Sequence, residues 1–369
     1  MFTRDNNPGD GHSSDNGRLD HPESGVIKDR TFRTPVSQNQ TITRTKPRKS
    51  RSTSSADPEL SKLLTGIEKV RTELQRVIRG KADVIDRVLT AVLAEGSVLL
   101  EDVPGVGKTT LAKSLAALFD LDFQRVQCTP DLLPADILGS SIFQPSTGEF
   151  QFREGPVFCD LLIADEINRA SPRTQSALLE AMAESQVTID GKRYVLHQPF
   201  IVIATQNPRG FEGTFPLPES QLDRFLLRLS MNYPDAESEV DLLIDQADSE
   251  PFSSLEPVLH RDDLVSLQQH VRSVQFDRKV AEYLIELVAE TRSDSRLRVG
   301  CSPRGSKMLL RAAQARALLE KREFVLPDDV QAVAVDVLSH RVSARSMSAT
   351  SEEISQIVRE LVGQVEVPV

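Results

Sequence analysis

The chain holds 369 residues, 39% hydrophobic and 27% charged, with a net charge of −10, three cysteines and no tryptophan, a composition ordinary for a soluble globular protein with room for two domains and a tail. No apolar stretch approaches the ~18 residues of a membrane span, and the opening Met-Phe-Thr-Arg-Asp-Asn-Asn-Pro has no apolar core of a secretory signal, so a cytoplasmic location is expected. Residues 1–55 carry ten Lys or Arg against six Asp or Glu, leaving about −14 on the remainder, and an acidic body argues against broad nucleic-acid binding.

Residues 1–57, rich in Asp, Asn, Ser, Thr, Gly and Arg, bury too little to offset ordering and read as a disordered tail. Within it Arg44, Lys46, Arg48, Lys49 and Arg51 form a basic cluster; a solvated linker is favoured over contact with nucleic acid, anionic lipid or an acidic partner. Cys128, Cys159 and Cys301 lack paired metal-ligand spacing and read as buried thiols.

The folded part opens with apolar residues at Leu60, Leu63, Leu64, Ile67, Val70, Leu74, Val77 and Ile78, a helical period that Gly80 breaks. A second helix over Ala82–Leu93 leads through Gly96 into a strand at Val98–Leu100, followed by Asp102-Val103-Pro104-Gly105-Val106-Gly107-Lys108-Thr109 and a helix running Leu111–Leu118. Strand, glycine-rich turn and helix in that order make a phosphate-binding loop: backbone amides wrap the phosphates and the helix aims its N-terminal dipole at the same charge. Gly105 and Gly107 permit close approach, Lys108 is the cation expected at the β and γ phosphates, and Thr109 is the expected magnesium ligand, with Thr110 next to it on the helix. Asp102 departs from the common pattern, which has glycine there.

Strands are predicted at Phe123–Gln127, within the apolar run Val157–Ala164, and at Phe200–Thr205; apolar runs separated by helices imply a parallel sheet covered on both faces. Two hairpins interrupt the pattern, Ile142–Phe152 around Ser-Thr-Gly and Val187–Leu196 around Asp190-Gly191. From Pro234 onward helices are predicted near Glu237–Gln246, Asp262–Arg272, Arg278–Thr291, Pro303–Leu319 and Pro327–Arg341. The domains expected are therefore the tail 1–57, an α/β nucleotide-binding part 58–232 and an all-α part 233–369.

Leu161-Leu-Ile-Ala-Asp165-Glu166 is an apolar strand ending in two carboxylates at the edge where parallel sheets collect ligands. Asp165 would hold the magnesium shell and Glu166 would orient the water that attacks the γ phosphate. Asn207 follows the next strand, where its amide would fix that water, and Arg224 ends a short segment before the last strand, with a surface ion pair to Asp223 as the bland alternative.

The set Asp102–Thr109, Ala164-Asp-Glu-Ile-Asn-Arg-Ala170, Ala204-Thr-Gln-Asn-Pro208 and Leu217-Pro-Glu-Ser-Gln-Leu-Asp-Arg-Phe225 resembles the MoxR family of AAA+ ATPases, with matching segments at Thr129–Gly139 and Gln175–Met182. The resemblance covers about Gly66 to Val342. It implies ATP and Mg2+ as cofactors, a five-stranded parallel sheet in the order 5-1-4-3-2, an all-α lid, and a ring, commonly a hexamer, with active sites shared between subunits. Arg224 would be the finger reaching the neighbour's γ phosphate, Arg304 the lid arginine called sensor 2, contacting phosphates in its own subunit. Val77, Ile78 and Gly80 resemble the segment near adenine, though the apolar pair fits the core equally well. Arg169 and Arg173 would help at the subunit interface. The hairpins match the family's inserts, so Phe143, Phe150 and Phe152 are grips for a protein client or anchors of the hairpin, at least one of them an anchor. The implied activity is ATP hydrolysis driving chaperone-like remodelling, beside a separate partner with a von Willebrand factor A domain. A nucleic-acid-stimulated motor and a nucleotide-dependent switch without hydrolysis are the rivals.

Overall fold

The computed structural model describes residues 58–103, 105–207, 213–233, 236–237, 239–240 and 255–368. The tail, Pro104 and most of the helix expected at Glu237–Gln246 lie outside the described residues.

Helices α1 (Pro58–Val77) and α2 (Ala82–Leu93) precede strand β1 (Val98–Glu101), which the loop joins to α3 (Lys108–Leu118). Gly80, at φ +69°, turns the chain between α1 and α2 in a conformation only glycine adopts without strain. Strand β2 (Phe123–Gln127) follows, then a short helix α4 (Pro134–Leu138) and the hairpin β3 (Gly139–Gln144) and β4 (Glu149–Glu154). Strand β5 (Leu161–Asp165), buried throughout, leads to α5 (Pro172–Glu184), the hairpin β6 (Gln186–Ile189) and β7 (Lys192–Val195), and strands β8 (Ile201–Gln206) and β9 (Leu227–Leu229).

The sheet runs β2-β5-β8-β1-β9 with every pairing parallel. Counting only its own strands in chain order, that is 2-3-4-1-5, the sequence expectation read from the opposite edge. Of the expected apolar run Val157–Ala164, only the part from Leu161 is strand; Val157 and Cys159 are buried in the turn before it, so hydrophobicity marked burial there and not pairing. The two hairpin turns sit where the sequence put them. Asp190 and Gly191 both take positive φ, +49° and +75°, the two-residue turn whose twist matches the strands it joins.

The rest is helical: Arg261–Ser273, Arg278–Ser293, Pro303–Leu319, Pro327–Leu338 and Ser351–Gln364. Ser302 and Thr350 cap two of these through side-chain oxygens that accept Gly305 and Glu353 amides, satisfying donors the first turn leaves free. A two-stranded ribbon, Leu297–Val299 with Ser343–Ala344, was not foreseen; pieces of two or three residues are too short to show a period.

One hydrophobic core runs from Leu60 through one face of the sheet to Val365, and a second fills the other face around Leu99, Leu162, Val202 and Phe225. Sheet and helices therefore share packing. Cys128, Cys159 and Cys301 are free and buried; burial pushes the thiols to about 12, 12 and 11, with Asp165 and Glu166 adding to the rise at Cys128. Among the described residues no helix is long and apolar enough to cross a membrane.

Candidate active site

Parallel pairing places the ends of β1, β5 and β8 at one edge, and the sequence motifs meet there. Gly105 and Gly107 adopt φ +88° and +92°, and a Cβ on Gly105 would meet nothing within 4 Å: the loop is open where phosphates would lie. Lys108 is buried, with Nζ donating to the Asp102 carbonyl at 2.8 Å. Desolvation lowers its pKa, and the charges of Asp102, Asp165 and Glu166 oppose that shift. Thr109 Oγ1 lies 3.5 Å from Asp165 Oδ2. Amides opening α3 have no acceptor within the helix, as at any helix start. Val106 and Thr110 are half-buried members of the same turn.

Ile78 belongs to the core and also borders the loop: a Cβ on Gly107 would sit 3.9 Å from its Cδ1 and 4.0 Å from Met231 Cε. Ile78 thus lies in the core beside the loop, and Met231, which the sequence does not single out, lines the loop with it.

Asp165 is held on two sides. Thr205 Oγ1 donates to Oδ1 at 3.3 Å, and Arg125 Nε donates to Oδ2 at 2.7 Å. Thr205 Oγ1 also accepts the Glu166 amide at 2.9 Å. Neither Thr205 nor Arg125 was singled out from sequence, yet the register β5–β8 and β2–β5 brings both strands' ends to Asp165. Glu166 itself has φ +56° and ψ 47°, a left-handed conformation costly for a side chain with Cβ and concentrated at functional sites. Its carboxylate pairs with Arg169 Nη1 at 3.0 Å, an intrasubunit role for an arginine expected at an interface. Asn207 is half-buried beside this pair, its carbonyl accepting from Asn168 Nδ2 at 3.2 Å.

Asp102 turns its carboxylate away from the loop's mouth, accepting the Met231 amide at 2.5 Å and the Asn232 amide at 2.8 Å. Grouped with the nucleotide ligands from sequence, its side chain bonds the exit of β9 through Oδ2 and the loop's own Val103 amide through Oδ1.

Arg224 and Arg304 are brought together with each other and not with Lys108. Both line a cavity of about 390 Å³ whose other walls include Gly96 and Ser97, before β1, and Phe200 and Ile201, where β8 starts. That is the sheet edge opposite the loop, because the loop leaves β1 at its far end. The helix Pro303–Leu319 packs on α2, and Arg304 in its first turn lines this cavity with Nε 3.9 Å from Asp223 Oδ2, so the structure places it at this edge and not at its own subunit's phosphate loop. Arg224 Nη1 donates to the Leu179 carbonyl at 2.7 Å. Asp223 is taken by Arg341, whose Nε donates at 2.9 Å, so the bland Arg224–Asp223 pair does not form. Burial lowers the Arg341 pKa to about 10, against the opposing pull of Asp223.

On the first hairpin Phe143 and Phe150 are 50% and 72% exposed, their ring centres 5.4 Å apart. Phe152 instead stacks on Tyr194 of the second hairpin at 4.0 Å and meets Phe158 at 5.6 Å, which makes it the anchor.

Residues 97–227 match the family described as "ATPase family associated with various cellular activities (AAA)", and residues 289–361 match the AAA lid domain. YeaC of Bacillus subtilis, itself uncharacterised, is 50% identical over 80% of this chain and 93% of its own length. Chaperone MoxR1 of Mycobacterium tuberculosis is 38% identical over 78% of each chain. The chain belongs to the MoxR family of AAA+ ATPases. A crystal structure of a presumed ATPase from Cytophaga hutchinsonii superposes on this MoxR-family fold with a TM-score of 0.76 at 35% identity, covering 84% of this chain and 97% of the other.

The residues of this MoxR-family site fit a magnesium nucleotide. Loop amides and Lys108 are donors for phosphate oxygens, and a hydroxyl beside a carboxylate is a hard oxygen pair suited to Mg2+, which takes its remaining ligands from water and phosphate. Among the described residues no cluster of three or more His, Cys, Asp or Glu is placed to hold a metal.

Proposed function

We propose that this chain hydrolyses ATP with Mg2+ in a ring of identical subunits, a hexamer by family analogy, and uses the cycle to remodel a protein client. Convergence of Lys108, Thr109, Asp165 and Glu166 at one end of β1, with Arg224 and Arg304 together at the other, is the observation that carries this. One subunit holds a loop that needs more positive charge, and its opposite edge presents it.

Lys108 would leave the Asp102 carbonyl to meet the β and γ phosphates, while Thr109 and Asp165 hold the metal, which neutralises charge between those phosphates. Glu166 would orient the attacking water with Asn207 beside it, and Arg169 holds that carboxylate until water is in place. Arg224 and Arg304 would both be lent to the neighbour's triphosphate, where fixed cations stabilise charge developing in transfer. The sheet-bearing part 58–232 and the helical part 233–369 would then shift against each other, carrying the hairpins, and the exposed Phe143 and Phe150 would touch the client. A cytoplasmic setting, expected from the sequence, and a separate von Willebrand factor A domain partner, suggested by the family resemblance, would complete this reading.

Glu166→Gln is expected to retain ATP binding while phosphate release falls at least a hundredfold; unchanged turnover would remove Glu166 from this role. Mixing Arg224→Ala with Lys108→Ala tests the shared site, since each complements the other at mixed interfaces. Partial recovery of turnover is expected, and no recovery at any mixing ratio would reject sharing.

A further inference from the structure

The residue that breaks the phosphate-loop pattern is among the most heavily bonded in the molecule. Asp102 is 6% exposed, and a buried carboxylate beside a loop for phosphates is doubly unfavourable: it loses hydration and it repels the anion. Its neighbours offset this. Oδ1 accepts the Val103 amide at 3.0 Å, while Oδ2 gathers the Met231 amide at 2.5 Å, the Asn232 amide at 2.8 Å and Ser230 Oγ at 3.2 Å. These three residues lead from β9 towards the helical part. The same stretch is tied again one residue on, where Lys81 Nζ donates to the Tyr233 carbonyl at 2.7 Å.

The other face of Asp102 serves the loop, since its carbonyl holds Lys108 Nζ and its amide donates to Gln206 at the end of β8 at 3.2 Å. Met231, whose amide the carboxylate holds, has its Cε 4.0 Å from where a Cβ on Gly107 would stand. Loop, strand exit and Asp102 are thus linked through one residue, its carbonyl on Lys108 and its carboxylate on the Met231 and Asn232 amides.

We propose that Asp102 is a positioning residue that clasps the phosphate loop to Ser230–Asn232, so that a nucleoside triphosphate drawing Lys108 off the Asp102 carbonyl is felt in the segment leading to the lid. The clasp stands on its own contacts; the nucleotide as its trigger rests on the function proposed above. A glycine at this position would shape the loop equally well and would lack the link.

The test uses the full chain with Asp102→Asn, Asp102→Gly and Ser230→Ala, the last removing one donor of the three on Oδ2. Hydrogen exchange of the Met231 and Asn232 amides is measured, together with energy transfer between labels at Gln124→Cys and Glu320→Cys with and without a slowly hydrolysed ATP analogue. Exchange should quicken at least tenfold in Asp102→Asn and Asp102→Gly and less in Ser230→Ala. The nucleotide-driven distance change should vanish in Asp102→Gly although a fluorescent ATP still binds. Unaltered exchange in all three variants overturns the clasp, and a retained distance change in Asp102→Gly overturns the coupling. Failure of the wild-type chain to bind fluorescent ATP defeats the nucleotide trigger together with the proposed function, and the exchange rates still decide the clasp.

Discussion

Replacing Thr205 by valine keeps the shape of a fully enclosed side chain and deletes one oxygen. Thr205 is 2% exposed, and Oγ1 accepts the Glu166 amide at 2.9 Å and donates to Asp165 Oδ1 at 3.3 Å. Stranding a buried amide costs about 1–3 kcal/mol, and the longer bond adds about 0.5–1 kcal/mol; the extra buried methyl returns somewhat under 1 kcal/mol. A net loss of about 2 kcal/mol is expected, read as a lower urea midpoint at unchanged slope. Glu166 carries a second cost, because its left-handed backbone at φ +56° is held in place by that same bond. If Glu166 has the role proposed for it, loss of the bond displaces its carboxylate, and kcat for ATP should fall roughly ten- to a hundredfold with little change in KM, since misplacement of a water-orienting group is felt in the transition state. Phosphate release and urea melting on one preparation settle it. A kcat within twofold of wild type, with the midpoint lowered, would show that Thr205 serves stability alone and that Glu166 does not depend on it.

Arg125→Ala removes the half-exposed guanidinium that sits 2.7 Å from Asp165, a pair worth about 1 kcal/mol; the Mg2+ midpoint for nucleotide binding should drop about fivefold in a fluorescence titration, because the cation no longer displaces an arginine. Gly155→Ala drives a Cβ into the backbone at Ile137 and Gly139; overpacking against atoms that cannot rotate away should cost about 1–3 kcal/mol in thermal or urea unfolding. Burial lifts the Asp336 carboxyl to about 6, with Arg87 pulling the other way. The folded state therefore holds the extra proton between about 4 and 6, and stability falls as pH rises through that window, by up to about 3 kcal/mol, then levels. Asp336→Asn should flatten that part of the curve relative to wild type, and parallel curves would show that Asp336 titrates normally.

Much of the site was legible because its parts are local. Gly105, Gly107, Lys108 and Thr109 are contiguous, and Asp165 and Glu166 end an apolar run, so chemistry and context share one window of sequence. Arg125 and Thr205 were illegible for the opposite reason. Thr205 sits in a motif read for Asn207 and nothing near Arg125 distinguishes it, so each acquires its role only when strand register sets it against Asp165, 40 residues away in both cases. Phe152 shows the same limit at the surface, identical in type to Phe150 and separated from it only by the arrival of Tyr194.

Periodicity and motif alone determined most of the helices, though not Pro172–Glu184 or Ser351–Gln364, together with the parallel sheet and the phosphate loop, since side-chain spacing along a regular backbone decides which face is apolar. Tertiary structure alone decided that Asp102 holds the exit of β9 and that Arg304 stands with Arg224 at the far edge of the sheet. The physical reason is that a side chain's partner depends on where distant segments cross, and hydrogen bonds and charges act over a few ångströms of space however many residues intervene.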